Sequence, residues 1–219
     1  MSHTQGVRQA RKQKTRQALL DAALLLLEEQ SLSSLGLREV TRAVGVTPTA
    51  FYRHFRDPAD LGVALVEQAL DSLHGTIGTI LAATDGDEER IDRTVGVMAD
   101  YVRAYPSHVR FIARERHGGV RSVREAIAAQ LRRFSEEVAA ALAAEPVSDG
   151  WSREDLRMLA DVYVDQMVMT ASAFLHAAEQ HPAAEPVGAR ARVEAEARVA
   201  SAARRRLRLI ALGRRHWLD

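Results

Sequence analysis

The stretch "LREVTRAVGVTPTAFYRHFRDPADL", Leu37 to Leu61, carries closely spaced start and stop signals that leave its backbone little choice. Leu37, Val40, Ala43 and Val44 recur at helical spacing, which predicts a short helix over Leu37 to Val44 with those four positions inward. Gly45 follows, suited to the left-handed conformation that closes a helix. Thr47 is a good N-cap and Pro48 sits where a missing N–H costs nothing, so a second short helix starts there and runs to about Phe55. Two short helices joined by a tight glycine turn are a helix-turn-helix. Asp57 and Pro58 repeat the start signal and open a longer helix to about Ala83.

The second short helix turns Ala50, Phe51 and Phe55 inward, leaving Thr47, Thr49, Tyr52, Arg53 and His54 on its exposed face or ends. None of these is acidic. Hydroxyls, a phenol, an imidazole and a guanidinium are donors for phosphate oxygens, and a helix fits the DNA major groove. Arg53 has a second option in the edges of guanine, and Arg38 lies near the same surface. Any one of these side chains alone is an ordinary solvated residue; the set at this spacing reads as a DNA-facing surface. No Ser, Asp or Glu sits where it would orient or be activated by His54, so a catalytic loop is a poorer reading.

Composition agrees with a helical protein. Ala, Leu, Arg and Glu dominate the 219 residues, aromatics are only 5%, and 47% hydrophobic residues suffice for a packed core. The absence of cysteine excludes disulfides, thiolate zinc sites and cysteine nucleophiles. No apolar run approaches the roughly 18 residues of a membrane span, and the start lacks a signal-peptide core, so the expectation is a cytoplasmic protein without a membrane partner. The net charge of +1 is uneven: residues 1–60 hold nine Lys+Arg against six Asp+Glu, and the first sixteen carry five cations and no acid. Such a start is either a solvated tail or the footprint of a chain that meets a polyanion.

Around this segment the chain reads as all-α. Arg8 to Gln30 predicts an amphipathic helix with Ala18, Leu19, Ala22, Ala23, Leu26 and Leu27 inward. After "TDGDEE" at 84–89, helices are expected at about 89–104, 107–116, 120–144, 152–180 and 188–217. Pro106, "HGG" at 117–119, "EPVSDG" at 145–150 and "HPAAEP" at 181–186 separate them. The division expected is 1–60 for DNA binding and 61–219 for ligand binding and dimerisation.

The quoted segment resembles the DNA-binding part of TetR-type transcriptional repressors over roughly residues 9–65. The resemblance implies a three-helix bundle with a helix-turn-helix, a larger C-terminal helical domain and no enzymatic activity. It places Arg38, Thr47, Pro48 and Thr49 against bases, and Tyr52, Arg53 and His54 against backbone or adjacent bases. Many members hold a phosphate with a lysine near the start of the fourth helix; here that position is Pro58, and Arg56 is the nearest substitute. "TPTAFYRHFRD", "DLG" and, later, "FIARERHGG" at 111–119 are similar to FabR- and DesT-type repressors of unsaturated fatty-acid synthesis. That likeness implies a long-chain acyl-CoA as regulatory ligand, with no further cofactor and no metal.

In the C-terminal part, Tyr101, Tyr105, Phe111, Phe134, Met167 and Phe174, with Ile112, Val168 and Met169, supply either an ordinary core or an adaptable apolar slot for an acyl chain. Arg110, Arg114 and His117 share one helix face, with Arg103, Arg116 and Arg121 nearby. They form either a phosphate clamp for coenzyme A or a solvated face in which Glu115 and Glu125 pair with the arginines. The 152–180 helix is apolar on nearly all sides between Met158 and Ala178, which calls for burial in a core or between subunits. Asp161 and Asp165 stand four residues apart without a histidine at ligand spacing, which argues against a metal. The expected protein is a homodimeric, ligand-responsive repressor on a palindromic double-stranded operator, sensing acyl-CoA to control fatty-acid desaturation genes. The alternative is a repressor of an efflux or catabolic operon released by an unrelated apolar molecule.

Overall fold

The computed structural model describes residues 2–82, 86–181 and 186–217. Among them there are α1 (Ser2–Leu26), α2 (Leu37–Val44), α3 (Pro48–Phe51), α4 (Pro58–Ala82), α5 (Asp87–Ala104), α6 (Pro106–Glu115), α7 (Arg121–Ala143), α8 (Arg153–Gln180) and α9 (Pro186–Arg215), with a 3-10 turn at Pro146–Ser148 and no strand. The all-α expectation holds. Parts of the breaks expected at 84–89 and 181–186, and the expected helix end at Ala83, lie outside the described residues.

The chain divides into two compact units, which differ from a simple cut near residue 60. One runs to Ala69 and also takes in Arg110–Ala128; the other comprises Leu70–Val109 with Ala129 onward. Sequence punctuation shows where helices stop. It does not show which helices pack together, so the return of 110–128 to the N-terminal unit was not readable from it.

In the first unit, Leu19, Leu20, Ala23 and Leu24 of α1, Leu27 just past it, Val40 of α2, Phe51, Phe55, Leu61 and Leu65 are buried, as are Phe111, Val123 and Ile127. Close approach to α4 is possible because position 62 is glycine. A Cβ there would lie 2.4 Å from a Leu32 methyl and 2.8 Å from one of Val123. In the second unit, Ile91, Val95 and Val102 of α5, Val109, Phe174 and Leu175 of α8, and Ala203 and Leu207 of α9 form one cluster. Leu142 of α7 and Leu156, Leu159 and Ala160 of α8 form another, with Trp151 and Tyr163 packed on it. Arg214 is buried beside these residues, donating to Ser148 Oγ at 2.6 Å and ion-paired to Glu145 at 2.8 Å. Glu145 also pairs with Arg90. Burial pushes the Tyr163 phenol up to about 12.

Several local expectations change. Helix α1 begins earlier than Arg8, since nothing in 2–8 breaks it, and ends at Leu26 rather than Gln30. Helix α3 ends at Phe51; tighter bonds from Arg53 N–H to Ala50 O and His54 N–H to Phe51 O carry the chain on to Phe55. On α2, Ala43 faces outward and Thr41 faces inward. Thr41 can be buried because its hydroxyl donates to the carbonyls of Leu37 and Arg38 at 3.1 and 3.3 Å.

Candidate nucleic-acid interface

Helices α2 and α3 are held at a fixed angle by their capping chemistry. Gly45 has φ 72°, and its N–H and that of Val46 donate to the carbonyls of Arg42 and Thr41, closing α2 in a Schellman turn. At the other end of α2 the Glu39 carboxylate accepts from Gly36 N–H at 3.2 Å. Thr47 Oγ1 accepts from Ala50 N–H at 3.2 Å, and Pro48 occupies the first turn of α3. Asp57 accepts from Asp60 N–H at 2.7 Å and starts α4.

Phe51 and Phe55 anchor this arrangement from below, with ring centroids 5.5 Å apart. The Arg16 guanidinium lies 5.1 Å from the centre of the Phe55 ring, tying α1 to the turn after α3. Tyr52 stands edge-on to Phe51 at 5.8 Å and is 60% exposed. Thr47, Pro48, Thr49, Arg53 and Arg38 are exposed and His54 is half-buried, all within the first unit. The residues proposed to face DNA therefore share one region, although Thr47 already uses its hydroxyl oxygen as a cap. Arg56 pairs with Asp60 at 2.8 Å, and hydrogen bonds from Arg56 hold the Asp60 carboxyl below its usual range.

Sequence reasoning did not place α1 on this surface. Arg8, Arg11, Lys12 and Thr15 line an open groove of about 700 Å³ whose other wall is Val46, Ala50, Arg53 and His54. The signal was present in the spacing: positions 8, 11, 12 and 15 form one helical stripe. Burial, then Lys12, Arg16 and Arg53, pull the His54 imidazole below its ordinary value.

The residues expected to hold a ligand are not gathered into one unit. Arg110, Phe111, Arg114 and His117 belong to the first, whereas Tyr101, Tyr105, Phe134, Met167 and Phe174 belong to the second. In the second unit Tyr101 and Met167 pack on the cluster that contains Phe174. Tyr105 is half exposed, 5.2 Å from the Tyr101 ring. Phe134 stacks on the buried His74 at 3.8 Å, and His74 hydrogen-bonds Glu137 and Gln130. Phe111 is 2% exposed, a core residue of the first unit.

Arg114 has a different role from a phosphate clamp. Its Nη1 donates to the carbonyls of Leu27 and Gln30 at 2.8 and 2.7 Å, and its Nη2 to Glu28 O at 3.2 Å. These are carbonyls of the turn that follows α1, beside its negative end, where a guanidinium fits well. Arg110 pairs with Glu28 at 3.3 Å. Glu115 is buried and accepts Leu32 N–H at 2.9 Å instead of pairing with an arginine. Arg121 takes Glu125, at 2.7 Å. His117 is exposed.

Comparison with known proteins agrees with this geometry. A family model described as bacterial regulatory proteins, tetR family, matches residues 19–65. Among solved structures, a transcriptional regulator FadR from Bacillus subtilis in complex with stearoyl-CoA superposes with a TM-score of 0.65 at 12% identity, covering 85% of this chain and 96% of that one. The fatty acid degradation regulator FadR from Bacillus halodurans gives 0.62 at 13% identity, covering 85% and 94%. The reduced form of NemR from E. coli gives 0.54 at 20% identity, covering 84% and 95%. At these identities the superpositions speak to the fold. No helix of the described residues is long and apolar enough to cross a membrane. The helix-turn-helix segment at residues 19–65 thus matches the tetR-family model of bacterial regulatory proteins, and the helical architecture around it has the fold of the TetR-type transcriptional regulators that the chain is similar to.

Proposed function

We propose that this regulator is a cytoplasmic homodimeric repressor that reads a palindromic operator through α3 and changes its affinity when a long-chain acyl-CoA binds its C-terminal helices. The observation that carries the DNA half is the exposed, acid-free face of Thr49, Tyr52 and Arg53 above the buried Phe51. Dimerisation through α8 and α9 belongs to the same reading. Met158, Val162 and Met169 on α8 and Val193, Leu209 and Leu212 on α9 are large apolar side chains left exposed on single helices, as a two-fold four-helix contact would require. A dimer would present two copies of α3 to successive major grooves.

The acyl-CoA half is supported by two things. The FadR of Bacillus subtilis, which shares the fold, is described in complex with stearoyl-CoA. The apolar side chains of Tyr101, Met167 and Phe174 also lie together in the second unit. Arg114 and Arg110 are engaged elsewhere, so the acyl chain rather than the coenzyme phosphates carries this assignment. The ligand shifts operator affinity only by its differential affinity for the two arrangements of the dimer.

One titration separates the readings. The protein is added to the DNA upstream of its own gene, with and without saturated and unsaturated acyl-CoAs, and the shifted fraction is measured. A change in affinity with acyl-CoA supports the proposal; operator binding indifferent to every acyl-CoA rejects the ligand and leaves release by an unrelated apolar molecule.

A further inference from the structure

We propose that the groove between α1 and α3 seats a stretch of the DNA phosphate backbone, so that the N-terminal third of α1 is a second DNA-contacting element beside the reading helix. The inference rests on the DNA-binding reading above and deepens it.

Three observations carry it. First, Arg8, Arg11 and Lys12 lie on one stripe of α1, and across the groove stands Arg53 of the reading segment; no acid lines either wall. Second, among the described residues none of these four cations makes an ion pair. Five arginines of the second unit differ in this: Arg190 and Arg192 take Glu194 and Glu196, and Arg204, Arg208 and Arg215 take Asp92, Glu88 and Asp87. Exposure alone does not preclude pairing, because the Arg190 side chain is 85% exposed and still has its partner. Third, the field inside the groove is positive enough to show on a neighbour: Lys12, Arg16 and Arg53 all lower the His54 imidazole, after burial itself.

The occupant follows from charge and position. Duplex DNA carries a phosphate about every 1.7 Å of helix axis, and a protein cation that neutralises one releases a counterion. Arg53 belongs both to the groove and to the exposed face of the helix-turn-helix, so a duplex read by Tyr52 and Arg53 brings its backbone to Arg8, Arg11 and Lys12. Thr15 closes the stripe with its hydroxyl already donating to Arg11 O at 3.1 Å, which leaves the cations as the phosphate ligands. Backbone contacts of this kind set register and affinity without reading sequence.

The experiment is a salt titration of the full-length protein on two duplexes of equal length, one from its own upstream region and one of scrambled sequence, read by fluorescence anisotropy. Each lost phosphate contact lowers the slope of log affinity against log salt by about 0.9. The triple variant R8A/R11A/K12A is expected to lose about two to three from the slope on both duplexes, to weaken both about equally, and to keep the ratio between them. R8K/R11K keeps the slope, and K14A, whose side chain lies outside the groove, changes it by well under one unit. A triple-variant slope equal to that of the unmodified protein overturns the proposal, as does a loss confined to the upstream duplex. Circular dichroism on each variant confirms that the helices persist. Failure of the underlying reading looks different: Y52A and R53A would leave upstream affinity unchanged, or the unmodified protein would bind neither duplex.

Discussion

Arg114 donates to the carbonyl of Gln30 across 2.7 Å, joining the end of α6 to the chain just past α1. With the bonds to Leu27 and Glu28 and the Glu115 bond to Leu32, it ties two segments more than eighty residues apart within the unit that carries the helix-turn-helix. Arg114→Ala is therefore expected to disturb DNA binding in the absence of any ligand, where a phosphate clamp would have affected only the ligand response. Only the bond to the Leu27 carbonyl is partly buried, so losing these charge-assisted bonds should cost about 1.5 kcal/mol, the lower end of the range for a charged donor. Thermal unfolding and operator titration of the ligand-free variant check this; unchanged values in both would return Arg114 to the role of a clamp.

Gly62 sits where α4 meets Leu32 and Val123, and its importance is steric rather than conformational. A methyl group there, 2.4 Å from a Leu32 methyl and 2.8 Å from one of Val123, forces those buried side chains to shift. Gly62→Ala is expected to destabilise by about 1–3 kcal/mol, the usual range for overpacking. Leu32→Ala in the same chain makes room for that methyl, so the double variant should cost less than the sum of the single ones. Additive costs in denaturant melts would show that the close approach is not what requires glycine here.

His54 gives a pH dependence whose sign is fixed. Burial, followed by Lys12, Arg16 and Arg53, lowers its affinity for a proton in the folded state. The unfolded chain then binds more protons, so His54 contributes stability that is present above the ordinary histidine value near 6.5 and lost as pH falls through and below it. The difference in melting temperature between the unmodified protein and His54→Gln should therefore shift in favour of the variant between pH 7.5 and pH 5.5. A difference that stays flat over that window would remove the electrostatic account of the groove's field at this residue.

How much of this could be read from sequence depends on how local the cause was. The caps at Thr47 and Asp57, the turn at Gly45 and the burial of Phe51 and Phe55 each follow from a residue and its neighbours within four positions. Those expectations agree with the structure. Thr41 and Ala43 were exchanged because periodicity weighs a hydroxyl as polar, while a helical threonine satisfies its own hydroxyl on the preceding turn. Arg114, Glu115 and Arg110 stood between a phosphate clamp and a solvated face, and neither alternative named their partners, which lie in the segment after α1, where no spacing rule within "FIARERHGG" points. The groove falls between these cases, since one wall was legible as a cationic stripe and the other as the reading helix.

Arg214 supplies the corresponding test in the second unit. Its guanidinium is 4% exposed and meets Glu145, Ser148 Oγ and the Leu142 carbonyl, so it pins the 3-10 turn at Pro146–Ser148 to the end of α9. Arg214→Ala leaves Glu145 with Arg90 as its remaining cation and the buried Ser148 hydroxyl without its guanidinium donor, while the Leu142 carbonyl keeps the Glu145 N–H. The expected loss is about 3 kcal/mol, at the lower edge of the cost of breaking a buried ion pair because Glu145 keeps one partner. The two tryptophans report the change directly: Trp151 and Trp217 stack at 5.8 Å beside this cluster, and freeing α9's end should separate them. Arg214→Ala should show altered tryptophan emission before global unfolding in a denaturant series, with non-specific DNA affinity unchanged. Coincident emission and circular-dichroism transitions, at the unmodified midpoint, would show that Arg214 does not hold this corner together.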